Sequence, residues 1–199
     1  MLPERVQRLF EPGSHAMQLA RLFDDAGHEL YLVGGSVRDA ILDRPQDDFD
    51  FATDARPEAV KSIVGGWAQN LYTAGELFGT VSAVKEGHVL EITTYRSEVY
   101  RAESRAPAVE FSDNIETDLS RRDFAVNAMA LRLQPGVPEP ALVDPWGGIT
   151  DLAAGVLRTP LSPEVSFGDD PLRMLRLYRF MATLGFMIDP AAAAAARDM

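Results

Sequence analysis

Residues 32–53 read LVGGSVRDAILDRPQDDFDFAT, and they predict a strand, a glycine turn, a short helix and a second strand in succession. The apolar run that ends at Val33 is typical of a strand, and the pair Gly34 and Gly35 interrupts it. The segment SVRDAILD then has helical character, while DDFDFAT alternates acidic and apolar residues with the period of a strand. The sequence therefore places a glycine turn close to three aspartates, which repel one another.

The composition of the 199-residue chain is that of a globular protein, with 46% hydrophobic and 25% charged residues. Its formal net charge of -11 argues against a surface that coats nucleic acid, because neutralising phosphates needs Lys and Arg. The lack of cysteine excludes disulfides and thiolate metal sites. No apolar segment is long enough to cross a membrane and the N-terminus has no signal-like core, so we expect a cytoplasmic protein with no membrane partner. The sequence does not indicate an oligomeric state.

The order of the predicted elements indicates an α+β fold, in which a mixed β-sheet is flanked by helices and followed by a small all-α region. We expect a helix over 14–25, a hairpin over 79–96, an irregular loop over 97–107 and a helix, or a helix and then a strand, over 118–131. From residue 169 apolar residues recur at helical spacing, and another helix begins near residue 189 and runs to the end, as in a fragment. We therefore divide the chain into domains 1–160 and 161–199.

Two carboxylates in the predicted strand share one face of the sheet. Asp48 and Asp50 are two residues apart, so their side chains point the same way, whereas Phe49 and Phe51 face the other side. Such carboxylates repel each other unless a cation lies between them. Mg²⁺ is the natural cation, because it takes hard oxygen ligands and is often held jointly by carboxylates and substrate phosphates. A solvated, polar strand end is the alternative interpretation.

The glycine pair favours a phosphate-binding function. Gly34 and Gly35 stand between a strand and a helix, where bare backbone and a helix N-terminus can approach a phosphate. Ser36 adds a hydroxyl group and Arg38 adds a cation. Neither the P-loop pattern nor the dinucleotide-binding pattern is present, and a tight turn without a ligand is the simpler alternative. Together with the nearby carboxylates, the turn predicts a site for a magnesium-bound nucleoside triphosphate.

Four motifs, in order along the chain, resemble those of one enzyme family. VGGSVRD with DFDFAT, DLSRRDFAVNAMAL at 118–131, DPWGGITDL at 144–152 and DDPLRMLRLYRF at 169–180 are similar to motifs of class II nucleotidyltransferases of the DNA polymerase beta superfamily. This family includes the bacterial-type CCA-adding enzymes and the bacterial poly(A) polymerases. The resemblance extends over residues 28–190, and it identifies 1–160 as a nucleotidyltransferase catalytic head and 161–199 as the start of a helical neck.

The resemblance implies a template-independent transfer, in which an RNA 3′-hydroxyl attacks the α-phosphate of CTP or ATP and pyrophosphate leaves. Asp48 and Asp50 would hold two Mg²⁺ ions, and Glu91 on a neighbouring strand is the candidate third carboxylate. The implied acceptor is the 3′ end of tRNA, which receives CMP and AMP. A poly(A) polymerase and an enzyme that adds only CC or only A share these motifs. Two non-enzymes also stay open, a nucleotide-binding module and an acidic interaction domain.

The second motif is expected to contact the sugar and phosphates of the nucleotide. The resemblance implies this role for Arg122, Asp123 and Asn127, because Asp and Asn suit sugar hydroxyls and Arg suits phosphate. A basic helix start that is capped by its own aspartate is the alternative.

The last motif is expected to select the base. Asp170 and Arg173 are three positions apart, so in a helix they lie on one face. An acceptor beside a fork of donors complements cytosine and adenine and leaves unpaired groups with uracil and guanine. The resemblance implies that these residues act as a protein template, whereas a surface ion pair is the general alternative. Arg176 and Arg179 continue the face as candidate phosphate ligands, and Asp169 stands where the family has glutamate.

Overall fold

The computed structural model describes residues 3–45, 48–99, 108–137 and 140–199, with the backbone only at 97–99 and 108–109. The helices in these ranges are α1 (Glu4–Leu9), α2 (His15–Asp25), α3 (Gly35–Ile41), α4 (Pro57–Val64), α5 (Ile115–Ser120), α6 (Gly148–Ala154), α7 (Pro163–Asp169), α8 (Leu172–Leu184) and α9 (Pro190–Asp198), with 3-10 turns at Glu76–Phe78 and Ala125–Asn127. None of these helices has the length and hydropathy needed to cross a bilayer.

The strands in the same ranges are β1 (Leu30–Val33), β2 (Asp48–Thr53), β3 (Asn70–Tyr72), β4 (Thr80–Lys85), β5 (His88–Thr94), β6 (Arg96–Val99), β7 (Ala108–Phe111), β8 (Ala130–Arg132), β9 (Leu142–Val143), β10 (Val156–Leu157) and β11 (Met187–Ile188). Seven of them form one sheet in the order β3-β4-β5-β2-β1-β8-β9. In this sheet β2 and β5 are parallel and their neighbours pair antiparallel. The predicted mixed sheet of an α+β fold is confirmed.

Each face of the sheet is covered by an apolar cluster. Because side chains alternate along β1, Leu30 and Leu32 pack with residues of α2, α3 and α4, whereas Tyr31 and Val33 pack with α5 on the other face. Phe51 is buried in the first cluster and Ala52 in the second. The same alternation puts Asp50 on the second face, near the start of β2.

Most local predictions are confirmed. Ser14 caps α2 by accepting from Met17 N, and the β4–β5 hairpin turns at Glu86 and Gly87, which both have positive φ. The segment 118–131 contains only the end of α5, then the 3-10 turn Ala125–Asn127 and the start of β8, so the alternative of a helix followed by a strand is right in its order, but the helix ends at Ser120. The loop predicted from residue 97 is wrong at its start, because 96–99 form β6, which pairs with β7. The rest of that loop, 100–107, lies outside the described residues, as does Asp47.

The region after residue 160 is mainly helical, with two differences from the prediction. It contains the short strand β11, which pairs in parallel with β10. In addition, α8 begins at Leu172 and not at residue 169. Buried residues of α7, α8 and α9, namely Phe167, Leu177 and Ala192, belong to the same apolar cluster as the helices of the sheet. These three helices therefore share one apolar core with the helices that cover the sheet.

Candidate active site

Three carboxylates lie together on the adjacent parallel strands β2 and β5. Asp50 stands opposite Glu91 in the β2–β5 register, and Asp48 lies two residues earlier on the same face. Asp50 is half-buried, and Asp48 and Glu91 are exposed. Burial raises the pKa of Asp50, Asp48 raises it further, and the Arg122 guanidinium opposes both effects. Burial also raises the pKa of Glu91, with added contributions from Asp50 and Asp48. The three groups therefore repel one another through space.

The chemistry of these groups fits Mg²⁺, because all three offer hard oxygen ligands on neighbouring strands. Among the residues that the structure describes, no three His, Cys, Asp or Glu side chains are grouped so that they could hold a metal ion. Magnesium sites of this kind often take only one or two carboxylates and complete their ligands with substrate phosphates. The carboxylates thus provide one side of a site rather than a closed cage.

The glycine turn brings an arginine against bare backbone. Gly34 has φ 66 and ψ -128, and its N–H donates to Met129 O at 3.1 Å. A Cβ at Gly34 would lie 2.4 Å from Nη1 of Arg122, so only glycine permits this approach. Arg122 also donates to Asp118 Oδ2 at 3.1 Å. The turn therefore places a guanidinium group beside Asp50, as its effect on the pKa of Asp50 also indicates.

Ser36 and Arg38 have structural contacts beyond the phosphate roles that the sequence predicts. The buried Ser36 Oγ accepts from Asp50 N at 2.9 Å, which joins the start of α3 to β2. Arg38 donates to both carboxylate oxygens of Asp39, at 2.9 and 2.7 Å, and to Asn127 Oδ1 at 2.5 Å. Its side chain approaches Gly35, at whose Cβ position Arg38 Nη2 would be 3.6 Å away.

A buried hydrogen-bond chain continues from Arg38 to the neck helix α8. Asn127 Nδ2 donates to Asp123 Oδ1 at 2.9 Å, and the same oxygen accepts from Phe124 N. Arg176 donates to Asp123 Oδ2 from Nε at 2.8 Å, and its Nη2 forms an ion pair with the same oxygen at 2.6 Å. Asp123 is 7% exposed and accepts three hydrogen bonds besides this ion pair, so it holds Asn127 and Arg176 in place.

A cavity of about 530 Å³ joins most of the predicted site. Ten of the residues predicted from the sequence line it: Gly35, Arg38, Asp50, Arg122, Asp123, Asn127, Asp170, Arg173, Arg176 and Arg179. Asp48, Glu91, Gly34 and Ser36 do not line it, although Asp48 lies on the same strand as Asp50, which does, and Glu91 stands opposite Asp50 on β5. The lining contains seven arginines and three aspartates in a chain of net charge -11, which makes it an electropositive site.

The predicted geometry of Asp170 and Arg173 is wrong, although both residues line the cavity. Asp170 has φ -142 and ψ 100 and lies between α7 and α8, where Pro171 disfavours a helical conformation at the residue before it. Its Oδ1 accepts from Leu172 N at 3.0 Å. Arg173 is 6% exposed, and its N–H donates to Asp170 O at 3.0 Å, but no side-chain hydrogen bond or ion pair joins the two residues in the described part of the chain. The two residues do not share a helix face.

Arg173 is instead held by the segment before α8 and by the second motif. Its Nη1 donates to Ser166 Oγ at 3.0 Å and to Ser166 O at 3.3 Å, and its Nη2 donates to Arg121 O at 2.5 Å. These acceptors fix the guanidinium where α7, α8 and residues 121–123 meet. Its remaining donors are directed by this network toward the cavity that it lines.

The structure adds cavity residues that the sequence reasoning missed. Arg96 and Phe180 line the cavity, as does Arg121, which the motif had not singled out. Asp118 organises this wall from behind: it is 3% exposed and binds Arg122 at 3.1 Å, Arg121 at 3.8 Å and Arg96 N at 3.4 Å. A buried acid followed three and four residues later by arginines was a usable signal for Asp118, whereas nothing local marks Arg96.

Comparisons with known proteins place this architecture in one family. The model of the poly A polymerase head domain family matches residues 30–158. A CCA-adding enzyme of Bacillus subtilis is 39% identical over 176 residues, which are 88% of this chain and 42% of that protein. A CCA-adding enzyme of Lactobacillus helveticus is 38% identical over 195 residues, 98% of this chain and 47% of that protein. The chain thus spans less than half the length of these relatives.

Solved structures share the fold. The Bacillus stearothermophilus CCA-adding enzyme in complex with CTP has a TM-score of 0.77 and 34% identity over 90% of this chain and 41% of that one. The Thermotoga maritima CCA-adding enzyme complexed with tRNA_CCA has a TM-score of 0.75 and 28% identity over 98% of this chain and 42% of that one. A tRNA nucleotidyltransferase complexed with a primer tRNA and an incoming ATP analog has a TM-score of 0.73 and 30% identity over 90% of this chain and 49% of that one.

Proposed function

Because this chain belongs to the poly A polymerase head domain family, we propose that it is the catalytic head and first neck helices of a template-independent RNA nucleotidyltransferase. The head is residues 1–160 and the neck begins at 161. The enzyme adds CMP and AMP, from CTP and ATP, to the 3′ end of tRNA. Relatives named CCA-adding enzymes, and structures of such enzymes with CTP and with tRNA, support this substrate assignment.

The observation that carries the proposal is the meeting of opposite charges at one cavity. The carboxylates of β2 and β5 stand at one side, and seven arginines line the rest. A nucleoside triphosphate needs cationic donors for its phosphates and, through a divalent ion, a carboxylate anchor. The cavity volume of about 530 Å³ is in the range of small-molecule sites. A nucleotide bound here would bring its α-phosphate next to Asp50.

Each group has a separate part in the proposed reaction. The 3′-hydroxyl oxygen bonds to the α-phosphorus, the bond to pyrophosphate breaks, and the hydroxyl proton is released. Asp48 and Asp50 would hold Mg²⁺, with Glu91 opposite Asp50 as the candidate third carboxylate, and the ion would supply charge neutralisation and a lower pKa for the attacking hydroxyl. Arg122 binds phosphate oxygens beside Asp50, consistent with its place against Gly34. Asp123 already accepts three hydrogen bonds and forms an ion pair with Arg176, so we assign it to positioning Asn127 and Arg176 rather than to a sugar hydroxyl.

The function is tested by incorporation of labelled CTP and ATP onto tRNA that lacks its terminal CCA. The intact protein is expected to add both nucleotides, and Asp48→Ala to lose on the order of a thousandfold in rate, because a metal ligand contributes several kcal/mol to such transition states. Repeated addition of AMP alone would identify a poly(A) polymerase. Nucleotide binding without incorporation would identify a binding module, and no nucleotide affinity an interaction domain.

A second prediction concerns the choice of base. We propose that Asp170 and Arg173 recognise the incoming base from the cavity wall, with Arg173 held by Ser166 and Arg121 and Asp170 turning from Leu172 N to the base. Asp170→Asn keeps the size of the side chain but replaces one carboxylate oxygen, a hydrogen-bond acceptor, with an NH2 donor. The ratio of kcat/KM for CTP to that for UTP is therefore expected to fall at least about tenfold.

The neighbouring Asp169→Asn is the matched control and is expected to keep the preference. Triphosphate binding should survive in both variants, because the arginines of the cavity are unchanged. An Asp170→Asn enzyme that still prefers C and A over U and G by the original ratio would remove this residue from base recognition.

A further inference from the structure

One aromatic ring gathers three cavity arginines where the neck helix meets the head. The Cζ atoms of Arg38 and Arg176 each lie 5.3 Å from the centroid of the Phe180 ring, and that of Arg179 lies 4.9 Å away. Arg38 belongs to α3 of the head, and the other two arginines belong to α8. All four side chains line the same cavity. The ring therefore stands at a junction of three cations from two helices.

The Phe180 ring is itself held by a second aromatic side chain on its core side. Phe124, which is fully buried, packs its edge against Phe180 with centroids 5.7 Å apart and planes at 85°. This T-shaped contact fixes the ring plane from the core side. Phe180 is half-buried, so one part of its surface is left to the arginines and the cavity.

The three arginines differ in how else they are fixed. Arg38 is bound to Asp39 and Asn127, and Arg176 is bound to Asp123. Arg179 is exposed, and in the described residues its guanidinium has no carboxylate partner. The contact with Phe180 is thus the interaction that keeps Arg179 at the cavity.

A cation–π contact suits a site that must receive an anion. The negative face of the aromatic ring attracts the guanidinium, and the N–H donors at the edge of the guanidinium stay available for other acceptors. A carboxylate would hold the same cation more firmly, but it would occupy those donors and cancel the charge. Arg179 therefore keeps its donors for the oxygen atoms of a polyphosphate chain, and Arg38 and Arg176 keep those N–H groups that Asp39, Asn127 and Asp123 do not already bind.

We propose that Phe180 is a positioning residue for polyphosphate, which aligns Arg38, Arg176 and Arg179 so that they bind one triphosphate together across the head–neck junction. The inference rests on the proposed function, since it places the triphosphate in this cavity. It adds that the affinity for the triphosphate depends on Phe180, an apolar side chain that cannot form hydrogen bonds with the ligand. The effect of Phe180 on affinity is expected to grow with the number of phosphates in the ligand.

The test is direct binding of sodium tripolyphosphate, CTP and CMP to the intact protein by calorimetry, with no RNA present. Phe180→Leu is expected to weaken tripolyphosphate and CTP about tenfold, which corresponds to about 1.4 kcal/mol, and to change CMP about twofold at most. Phe180→Tyr retains the ring and is expected to bind like the original protein. In turnover, Phe180→Leu raises the KM for CTP more than it lowers kcat.

Tyr178→Leu is the matched control, because it removes an exposed aromatic ring from the same helix. It is expected to leave all three affinities unchanged, and melting temperatures show that each variant is folded. Equal weakening of CMP and CTP by Phe180→Leu, or no weakening at all, would overturn the role of Phe180 and leave the proposed function standing. An original protein that does not bind tripolyphosphate would overturn the phosphate assignment of the cavity and this inference with it.

Discussion

Asp50→Asn is expected to abolish nucleotide incorporation and, at neutral pH, to make the folded chain more stable. The rate should fall on the order of a thousandfold or more, because the variant loses one anionic ligand of the proposed magnesium site. Stability should rise because burial penalises the charged form of Asp50, repulsion from Asp48 adds to this penalty, and the amide carries no charge. The Asp50 carboxylate thus lowers the stability of the free chain, while it is needed for the proposed catalysis.

The pH dependence of this gain has a fixed sign. The pKa of Asp50 is raised above its ordinary value of 3.8, so the folded state binds the proton more tightly than the unfolded state does. Ionisation of Asp50 therefore reduces stability as the pH rises from 3.8 through the raised pKa, and the full penalty remains above it. The advantage of Asp50→Asn is expected to be complete at neutral pH and to vanish as the pH falls toward 3.8.

Thermal melting of both proteins between pH 4 and pH 8 measures the difference. For a chain of this size each kcal/mol corresponds to roughly 2–4 °C in melting temperature. Asp48→Asn is the matched control, since it removes the same charge from an exposed position on the same strand face. It should lose turnover with a smaller gain in stability, because the burial penalty on Asp50 remains and only the repulsion between the two groups is removed. A less stable Asp50→Asn chain at neutral pH would contradict the proposed penalty for burying this charge.

The second large effect is expected from Gly148→Ala. A Cβ at this first residue of α6 would lie 2.2 Å from Ala125 O and 2.7 Å from Met129 Cγ. The backbone oxygen cannot yield as a flexible side chain would, so the 3-10 turn that carries Asn127 must shift. The Asp144 carboxylate accepts from Gly148 N at 2.6 Å and from Ile149 N at 2.9 Å, which prevents α6 from moving away freely. We expect a loss of about 3 kcal/mol or more.

Gly168→Ala provides the contrast. Gly168 is also helical, in α7, but no atom lies within 4 Å of its Cβ position. Alanine there is expected to add about 0.5–1 kcal/mol of stability through helix propensity. Denaturant unfolding of both variants measures the two changes, and Gly148→Ala should also weaken CTP binding. A Gly148→Ala protein as stable as the original would show that the contact with Ala125 relaxes without cost.

The sequence predicted elements well where the signal is local. Ser14 as a helix cap, Glu86 and Gly87 as a hairpin turn, and Gly185 as a helix end all follow from backbone preferences of single residues. The face shared by Asp48 and Asp50 follows from strand alternation alone. The error at Asp170 was also local, since Pro171 restricts the residue before it and the helical spacing of the motif concealed this.

The features that could not be predicted depend on contacts between elements that are distant in the sequence. Glu91 was a candidate because the resemblance implies a third carboxylate on a neighbouring strand, but only the parallel pairing of β2 with β5 places it opposite Asp50. Arg96 reaches the cavity because β6 follows β5 past the sheet, and Phe180 because α8 packs on α3. Such neighbours are set by tertiary packing, which no periodicity within a single segment encodes.

The concentration of arginines at one cavity also determines how a polyanion reaches the protein. Seven of the 19 basic residues line this cavity, so the remaining surface is strongly acidic. An RNA strand that approaches from most directions is pushed away, and attraction begins only near the mouth. The cavity therefore attracts a polyanion only at short range, while the rest of this chain repels it. Added salt screens both the attraction and the repulsion, so the orientation of an approaching polyanion is expected to weaken as the ionic strength rises.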